Sequence, residues 1–287
     1  MRTVLVAGST GATGTHVVRS LLTKGHRVKA LVRVSDARSR ALTEMGAQVL
    51  VGDMRSLPSI RKAMAGVESA YFVYPLAGGL VEAATVFAQA AKELGVGHIV
   101  NLSHKQAMPD ARSHATLSHW LSEQIFTWAG VPTTHLRISF FADWMLSTAS
   151  LIRQGRYVTP FDADSRVAPI ATSDVGRIVA GVLHNPVGHG GKIYPLHGPS
   201  ECSHLELAAL LSQTLGRPVR YEQVSVDQFM RLLGLGPNAA LAAHLAAMKI
   251  DKQEGRLEGL DSTGTGIMGQ LLVTPTQFIQ QHRDQLI

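Results

Sequence analysis

The chain holds 287 residues, 45% hydrophobic and 17% charged, which excludes a disordered chain and exceeds the size at which one hydrophobic core usually stops growing. Its net charge of +6 would suit nucleic acid, an anionic membrane or a small phosphate ligand. The excess is local: residues 1–66 carry 11 Lys/Arg against 3 Asp/Glu, a net +8, and residues 67–287 carry 16 against 18, a net −2, so a basic coat is excluded.

Taken in chain order, strands are predicted at Thr3–Ala7, Arg27–Val32, Ala47–Val51, Ser69–Val73, His98–Leu102 and Thr133–Ile138. They are rich in Val and Ile, and several are continuously apolar, the pattern of strands buried on both faces. Helices are predicted near 12–23, 36–45, 56–65, 80–94 and 114–129, the last four stopped by Gly46, Gly66, Gly95 and Gly130. This alternation implies right-handed crossovers and an α/β fold, a doubly wound parallel (Rossmann) sheet. Beyond residue 140 the pattern loosens. Leu151–Asp164 reads as a loop-rich excursion and Thr172–His184 as a helix. Ser203 and Glu206 have capping-box spacing ahead of a helix through Leu215. Residues 237–250 read as an alanine-rich helix and Asp261–Gly269 as a Gly/Thr/Ser loop. The expected division is a Rossmann domain over 1–150 and a smaller α/β lobe over 151–287, with some interleaving of elements.

Gly8-Ser9-Thr10-Gly11-Ala12-Thr13-Gly14 follows the first strand and opens the first helix. A glycine-rich turn there lets backbone approach a pyrophosphate, and the helix N-terminus offers unpaired N–H groups. The spacing is G-x-x-G-x-x-G rather than G-x-G-x-x-G, but the strand before and the helix after it supply the required context. An NAD site usually has an acid about 20 residues beyond the glycines; Arg33 stands there instead, 19 residues after Gly14. A guanidinium suits the 2′-phosphate of NADP, so NADP(H) is expected in preference to NAD(H). Arg38 and Arg40 would add to the field. Asp53 reads equally as a contact at the adenine edge or as a helix cap.

One cysteine, Cys202, excludes an intrachain disulfide and fits a reducing compartment. No run approaches the roughly 18 apolar residues of a membrane span. The opening apolar run leads straight into the glycine turn, as a buried strand would and a signal peptide would not. A cytoplasmic location is expected.

With the turn, the strand ends ALVR (30–33), VGD (51–53) and FVYPL (72–76), and Leu136-Arg137 followed by Phe140, Phe141, Asp143 and Trp144, the chain resembles the NmrA-like branch of the atypical short-chain dehydrogenases/reductases. It is most similar there to bacterial type 2 quinone oxidoreductases and triphenylmethane reductases. The resemblance implies an NADPH site at the strand ends, drawing on Met54, Tyr74, Pro75, Leu76, Ser103, His119, Arg137 and Phe140 besides the glycine turn, Arg33 and Asp53. Short-chain dehydrogenases generally carry Tyr-x-x-x-Lys. Here the residues four beyond the five tyrosines are Pro75, Gly78, Phe161, Gly198 and Ser225, so the motif is missing, and by alignment on Glu123 its lysine place is taken by His119.

A quinone or a delocalised dye cation takes hydride into a conjugated system, so the enzyme needs orientation, a dry stacking surface and at most one donor. His119 and Ser103 are the catalytic candidates, against a bland structural reading for each. His104 is a weaker alternative, expected in the substrate pocket with Tyr74, Phe140, Phe141, Trp144 and Met145, whose side chains suit a flat apolar ligand. Core packing is the competing role for these aromatics, and the expected one for Trp120 and Trp128. The 13 histidines show no i, i+4 pair or Cys/His pattern, so no metal site is expected.

The expected function is an NADPH-dependent reductase of quinone-like or extended conjugated aromatic substrates. The alternative is an NADP(H)-binding redox-sensing regulator acting through a protein partner without turnover. A small aromatic or quinone substrate is the expected partner, with no nucleic acid and no membrane; a homodimer is left open.

Overall fold

The protein is described by a computed structural model covering every residue except Ala77 and Pro237. Six strands and five helices alternate through the first half of the chain: β1 (Thr3–Val6), α1 (Ala12–Thr23), β2 (Arg27–Val32), α2 (Ala37–Glu44), β3 (Gln48–Val51), α3 (Leu57–Met64), β4 (Ser69–Phe72), α4 (Leu80–Glu93), β5 (His98–His104), α5 (His114–Ala129) and β6 (Thr133–Ile138). Each follows from local chemistry. Asp36 and Ser39 close a capping box on α2, Ser113 caps α5, and Gly130 ends α5 in the left-handed conformation.

The second half continues through α6 (Trp144–Ser147), α7 (Ala149–Arg153), β7 (Arg156–Thr159), β8 (Arg166–Val167), α8 (Thr172–His184), β9 (Ile193–Leu196), β10 (Cys202–Ser203), α9 (His204–Leu215), β11 (Arg220–Gln223), α10 (Val226–Leu232), α11 (Ala239–Gln253), α12 (Thr263–Met268), α13 (Pro275–Gln281) and α14 (Arg283–Leu286). The capping box at Ser203 and Glu206 is formed. The Leu151–Asp164 excursion differs from expectation: it contains β7, a strand set by parallel pairing with β11 more than 60 residues away. The loop expected at Asp261–Gly269 contains α12, whose Gly264 backbone packs against the Ile178 and Leu272 side chains. The helix expected over 237–250 begins at Pro237, outside the described residues, and is observed as α11.

One seven-stranded sheet has the order β3-β2-β1-β4-β5-β6-β9, parallel throughout. The chain therefore returns to the first sheet after residue 150, through α8 and β9. Each face of the sheet has its own core. Val17, Val18, Leu21, Val175, Ile178 and Val179 cover one. The other is built on Phe72, Phe87 and Phe126, whose rings meet edge-on at 4.9 to 6.4 Å. A third core, around Ile152, Val158, Leu207, Leu211 and Phe278, fills the C-terminal lobe. Strand order reverses between β1 and β4, and a crevice over their C-terminal ends is where a doubly wound sheet binds its ligand.

Candidate active site

The glycine turn is held by its own polar side chains. The buried Ser9 hydroxyl donates to the Val6 carbonyl at 2.6 Å, and the Thr13 hydroxyl meets the Tyr71 hydroxyl at 2.9 Å. Gly8 has φ +60°, and a Cβ there would lie 2.7 Å from Val73 Cγ1. A Cβ on Gly14 would lie 2.1 Å from the Gly8 carbonyl oxygen, so only glycine lets α1 start this close to β1. The first helical bond of α1 runs from Thr15 N–H to the Gly11 carbonyl, which leaves the N–H groups of Ala12, Thr13 and Gly14 without an intrahelical acceptor. No acid lies in that first turn. The backbone is thus a concave set of donors at the positive end of a helix dipole, a fit for a pyrophosphate. An open cleft of about 400 Å³ runs along it, past Thr10, Ala12, Thr15 and His16 to Arg38.

Arg33 directly follows β2 and is exposed, with no ion pair or hydrogen bond among the described residues. Arg38 is instead engaged by Asp36, at 2.7 and 3.0 Å, so Arg33 is the more available cation. Asp53 holds the turn into α3 by accepting from Arg55 N–H at 2.9 Å, while the N-cap residue proper is Ser56. Met54 packs on the apolar core beneath.

At the far end of the sheet, Ser103 and Arg137 converge on one buried carboxylate. The Ser103 hydroxyl donates to Glu123 Oε1 at 2.6 Å. Arg137 donates bidentately to Oε1 at 2.9 Å and Oε2 at 2.6 Å. Glu123 is 1% exposed. Ser103 therefore has its one donor, and Arg137 two of its five, spent inside the protein on a partner that sequence reasoning used only as an alignment mark.

His119, on α5, faces His104 of β5 with ring centroids 6.3 Å apart. His244 of α11 closes on His104 at 5.4 Å and hydrogen-bonds Ser113 at 2.9 Å. Burial lowers all three below the ordinary histidine range, His119 and His244 to about 4, and holds His104 well below that range as well. At neutral pH they are uncharged. His119 Nδ1 is sealed from solvent with no hydrogen-bond partner. No group of three His, Cys, Asp or Glu side chains that could hold a metal occurs among the described residues.

The residues expected around the cofactor and in the pocket separate. Pro75 and Leu76 are exposed, and Tyr74 is half-buried, its hydroxyl lying over Gly79 at the start of α4. Phe141 packs on the sheet core and Met145 is buried in the lobe core. Phe140 and Trp144 line a slot of about 20 Å³ together with Tyr157, Phe161 and Phe229. Behind that slot lies a buried polar chain, Tyr157–His204–Lys252.

Residues 1–278 match the NmrA-like family. The chain belongs to that family. Over 283 residues it is 32% identical to the NAD(P)H azoreductase of Xenophilus azovorans, covering 97% of each chain. It superposes on the NADPH-dependent quinone oxidoreductase of Escherichia coli, solved with NADPH, with a TM-score of 0.84 at 25% identity, over 97% of this chain and 99% of that one. The fold is also that of Citrobacter sp. triphenylmethane reductase, with a TM-score of 0.82 at 22% identity over 98% and 99% of the two chains. These relationships put the NmrA-like chain among oxidoreductases.

In this NmrA-like chain Tyr157, His204 and Lys252 escaped the sequence reading, although one signal was present. Leu241, Leu245, Met248 and Lys252 recur at helical spacing, and a lysine in an apolar stripe is a buried cation in waiting. Nothing in the sequence alone paired it with His204, 48 residues earlier.

Proposed function

We propose that this NmrA-like protein is an NADPH-dependent reductase that passes hydride to a quinone-like or azo-type conjugated aromatic acceptor. The observation that carries the reading is the bare helix N-terminus under the Gly8–Gly14 turn. Three donors with no acceptor among the described residues, and no acid in their helical turn, suit a dinucleotide pyrophosphate. Arg33, unpaired at the end of β2, pairs with the 2′-phosphate and sets the preference for NADP(H). The reduced nicotinamide, when bound, supplies the hydride. His119, half-buried and neutral, offers its Nε2 rather than the sealed Nδ1 to a ribose hydroxyl. Ser103, Glu123 and Arg137 form a rigid floor beneath, and Phe140 and Trp144 present the apolar wall against which a flat acceptor is oriented. The 32% identity to an azoreductase over nearly the whole chain supports an acceptor of that kind.

Mixing the purified protein with NADPH and a panel of quinones, azo dyes and cationic dyes, while following loss of nicotinamide absorbance, tests the reading. Turnover with at least one class is expected. Tight NADPH binding with no turnover on any acceptor would favour the regulator alternative.

A further inference from the structure

The C-terminal lobe holds a chain of three buried polar side chains that none of the roles above uses. Lys252, 2% exposed on α11, hydrogen-bonds His204 Nε2 at 2.9 Å. His204, fully buried at the start of α9, presents Nδ1 to the Tyr157 hydroxyl at 3.1 Å. Among the described residues the lysine has no carboxylate in contact. Its ammonium lies instead 5.0 Å from the Phe140 ring centroid and 4.5 Å from that of Phe161, while His204 is stacked between Phe161 and Tyr221. Phe140, Phe161 and Tyr157 all line the aromatic slot, so the chain ends at the slot wall.

Counting donors fixes where the hydrogens go. An ammonium has no acceptor, so while Lys252 is charged His204 Nε2 must accept from it. Burial keeps His204 well below the ordinary histidine range, so its ring is neutral and the one ring hydrogen sits on Nδ1. That hydrogen is donated to the Tyr157 oxygen. The tyrosine's own hydrogen is then left over, and no acceptor for it exists among the described residues. The slot that Tyr157 lines has room for one water or one heteroatom of a larger ligand.

We propose that Tyr157 donates a proton to the acceptor heteroatom of a substrate whose polar edge enters this slot, and that it is recharged through His204 from Lys252. The proposal rests on the reductase reading. As hydride adds two electrons and a hydrogen to one end of a quinone or azo group, the other end gains a pair of electrons. The Tyr157 O–H bond breaks as the new O–H or N–H bond forms. The tyrosine oxygen takes the hydrogen from His204 Nδ1, Nε2 takes one from the Lys252 ammonium, and a neutral amine remains. One proton is consumed and is regained from water between turnovers.

The relay works only while Lys252 is charged, and burial among aromatic rings pulls its ammonium down to about 7. Asp162, Glu258 and Cys202 also face it. The Cys202 thiol is pushed up to about 11 by burial and stays neutral. Asp162 is held by Gln223 and Gln253, and Tyr221 of β11 bonds Thr159. Proton donation therefore weakens as pH rises through about 7.

Two measurements test this. In the cofactor-free protein at about pH 6, the ¹⁵N spectrum of labelled histidine should show His204 neutral with its hydrogen on Nδ1. A hydrogen on Nε2, or an imidazolium, overturns the relay. The second compares a quinone, which needs a proton, with a cationic triarylmethane dye, whose carbon takes hydride alone. Tyr157→Phe keeps the ring and should lower the ratio of quinone to dye turnover about 100-fold. Lys252→Met should remove the fall in quinone turnover above about pH 7. A ratio unchanged in Tyr157→Phe, or a pH limb retained in Lys252→Met, overturns the assignment. Wild-type protein that reduces neither acceptor overturns the reductase reading and the donor step together, whereas an Nε2 signal overturns the donor step alone.

Discussion

Two buried polar clusters lie in the two halves of the molecule, and they differ in what they leave over. Around Glu123 the acceptor is saturated: the serine hydroxyl and two of the five guanidinium N–H groups take up the two carboxylate oxygens. Around His204 the chain of donors runs one way from Lys252 and leaves the Tyr157 hydrogen unspent. A saturated cluster fixes geometry, because any ligand would have to compete with bonds already made. An unsaturated one has something to offer a ligand. The same contrast runs through the rest of the site. The Ser9 and Thr13 side chains are satisfied and shape the turn, whereas the helix N–H groups above them and Arg33 are not.

The contrast is broken most forcefully at Glu123. Glu123→Ala strands Arg137 and Ser103 in the interior and should cost about 3–5 kcal/mol of stability, the usual penalty for splitting a buried ion pair, read by denaturant unfolding. The loss should appear in stability first, with the folded fraction still binding NADPH. An unchanged midpoint would mean that the cluster is not a structural clamp.

Arg33 offers the opposite result. Arg33→Ala leaves no partner stranded, so the unfolding midpoint should hardly move. NADPH binding should weaken by about 1.5–3 kcal/mol, the value of a charge-assisted hydrogen bond, and NADH binding far less. Equal losses for both cofactors in a calorimetric titration would remove Arg33 from the 2′-phosphate site.

The smallest effect is in the response to acid. His119 and His244 are held at about 4 by burial, against 6.5 when unfolded. Between those values the unfolded chain binds more protons, so their contribution is present above 6.5 and is lost as pH falls through about 4. Each adds about 1.4 kcal/mol per pH unit within that window. His119→Gln should reduce the slope of stability against pH by one histidine's share. An unaltered slope would show that His119 is not buried neutral.

Much of the sheet was legible because its strands are apolar on both faces, a pattern that no exposed segment imitates. β7 was hidden in a four-residue stretch whose partner, β11, is distant in sequence, and α12 in a run of Gly, Thr and Ser whose helix is stabilised by packing on α8. At the candidate site, Arg33 is proposed on charge alone, while the close-packed glycine turn was legible because backbone geometry leaves a local mark. The Glu123 clamp and the Lys252 relay were not, since each joins residues from separate elements. Phe141 and Met145 read as pocket residues, yet packing drew them into the two cores.

Hydride transfer itself is the central claim, and NADPH carrying deuterium at the reactive nicotinamide carbon tests it most directly. In a single turnover of the loaded protein with an accepted quinone or azo dye, the label should slow the loss of nicotinamide absorbance. Equal rates with labelled and unlabelled cofactor, wherever the chemical step limits that turnover, would contradict direct hydride transfer, and tight binding with no absorbance change on any acceptor would contradict the reductase itself.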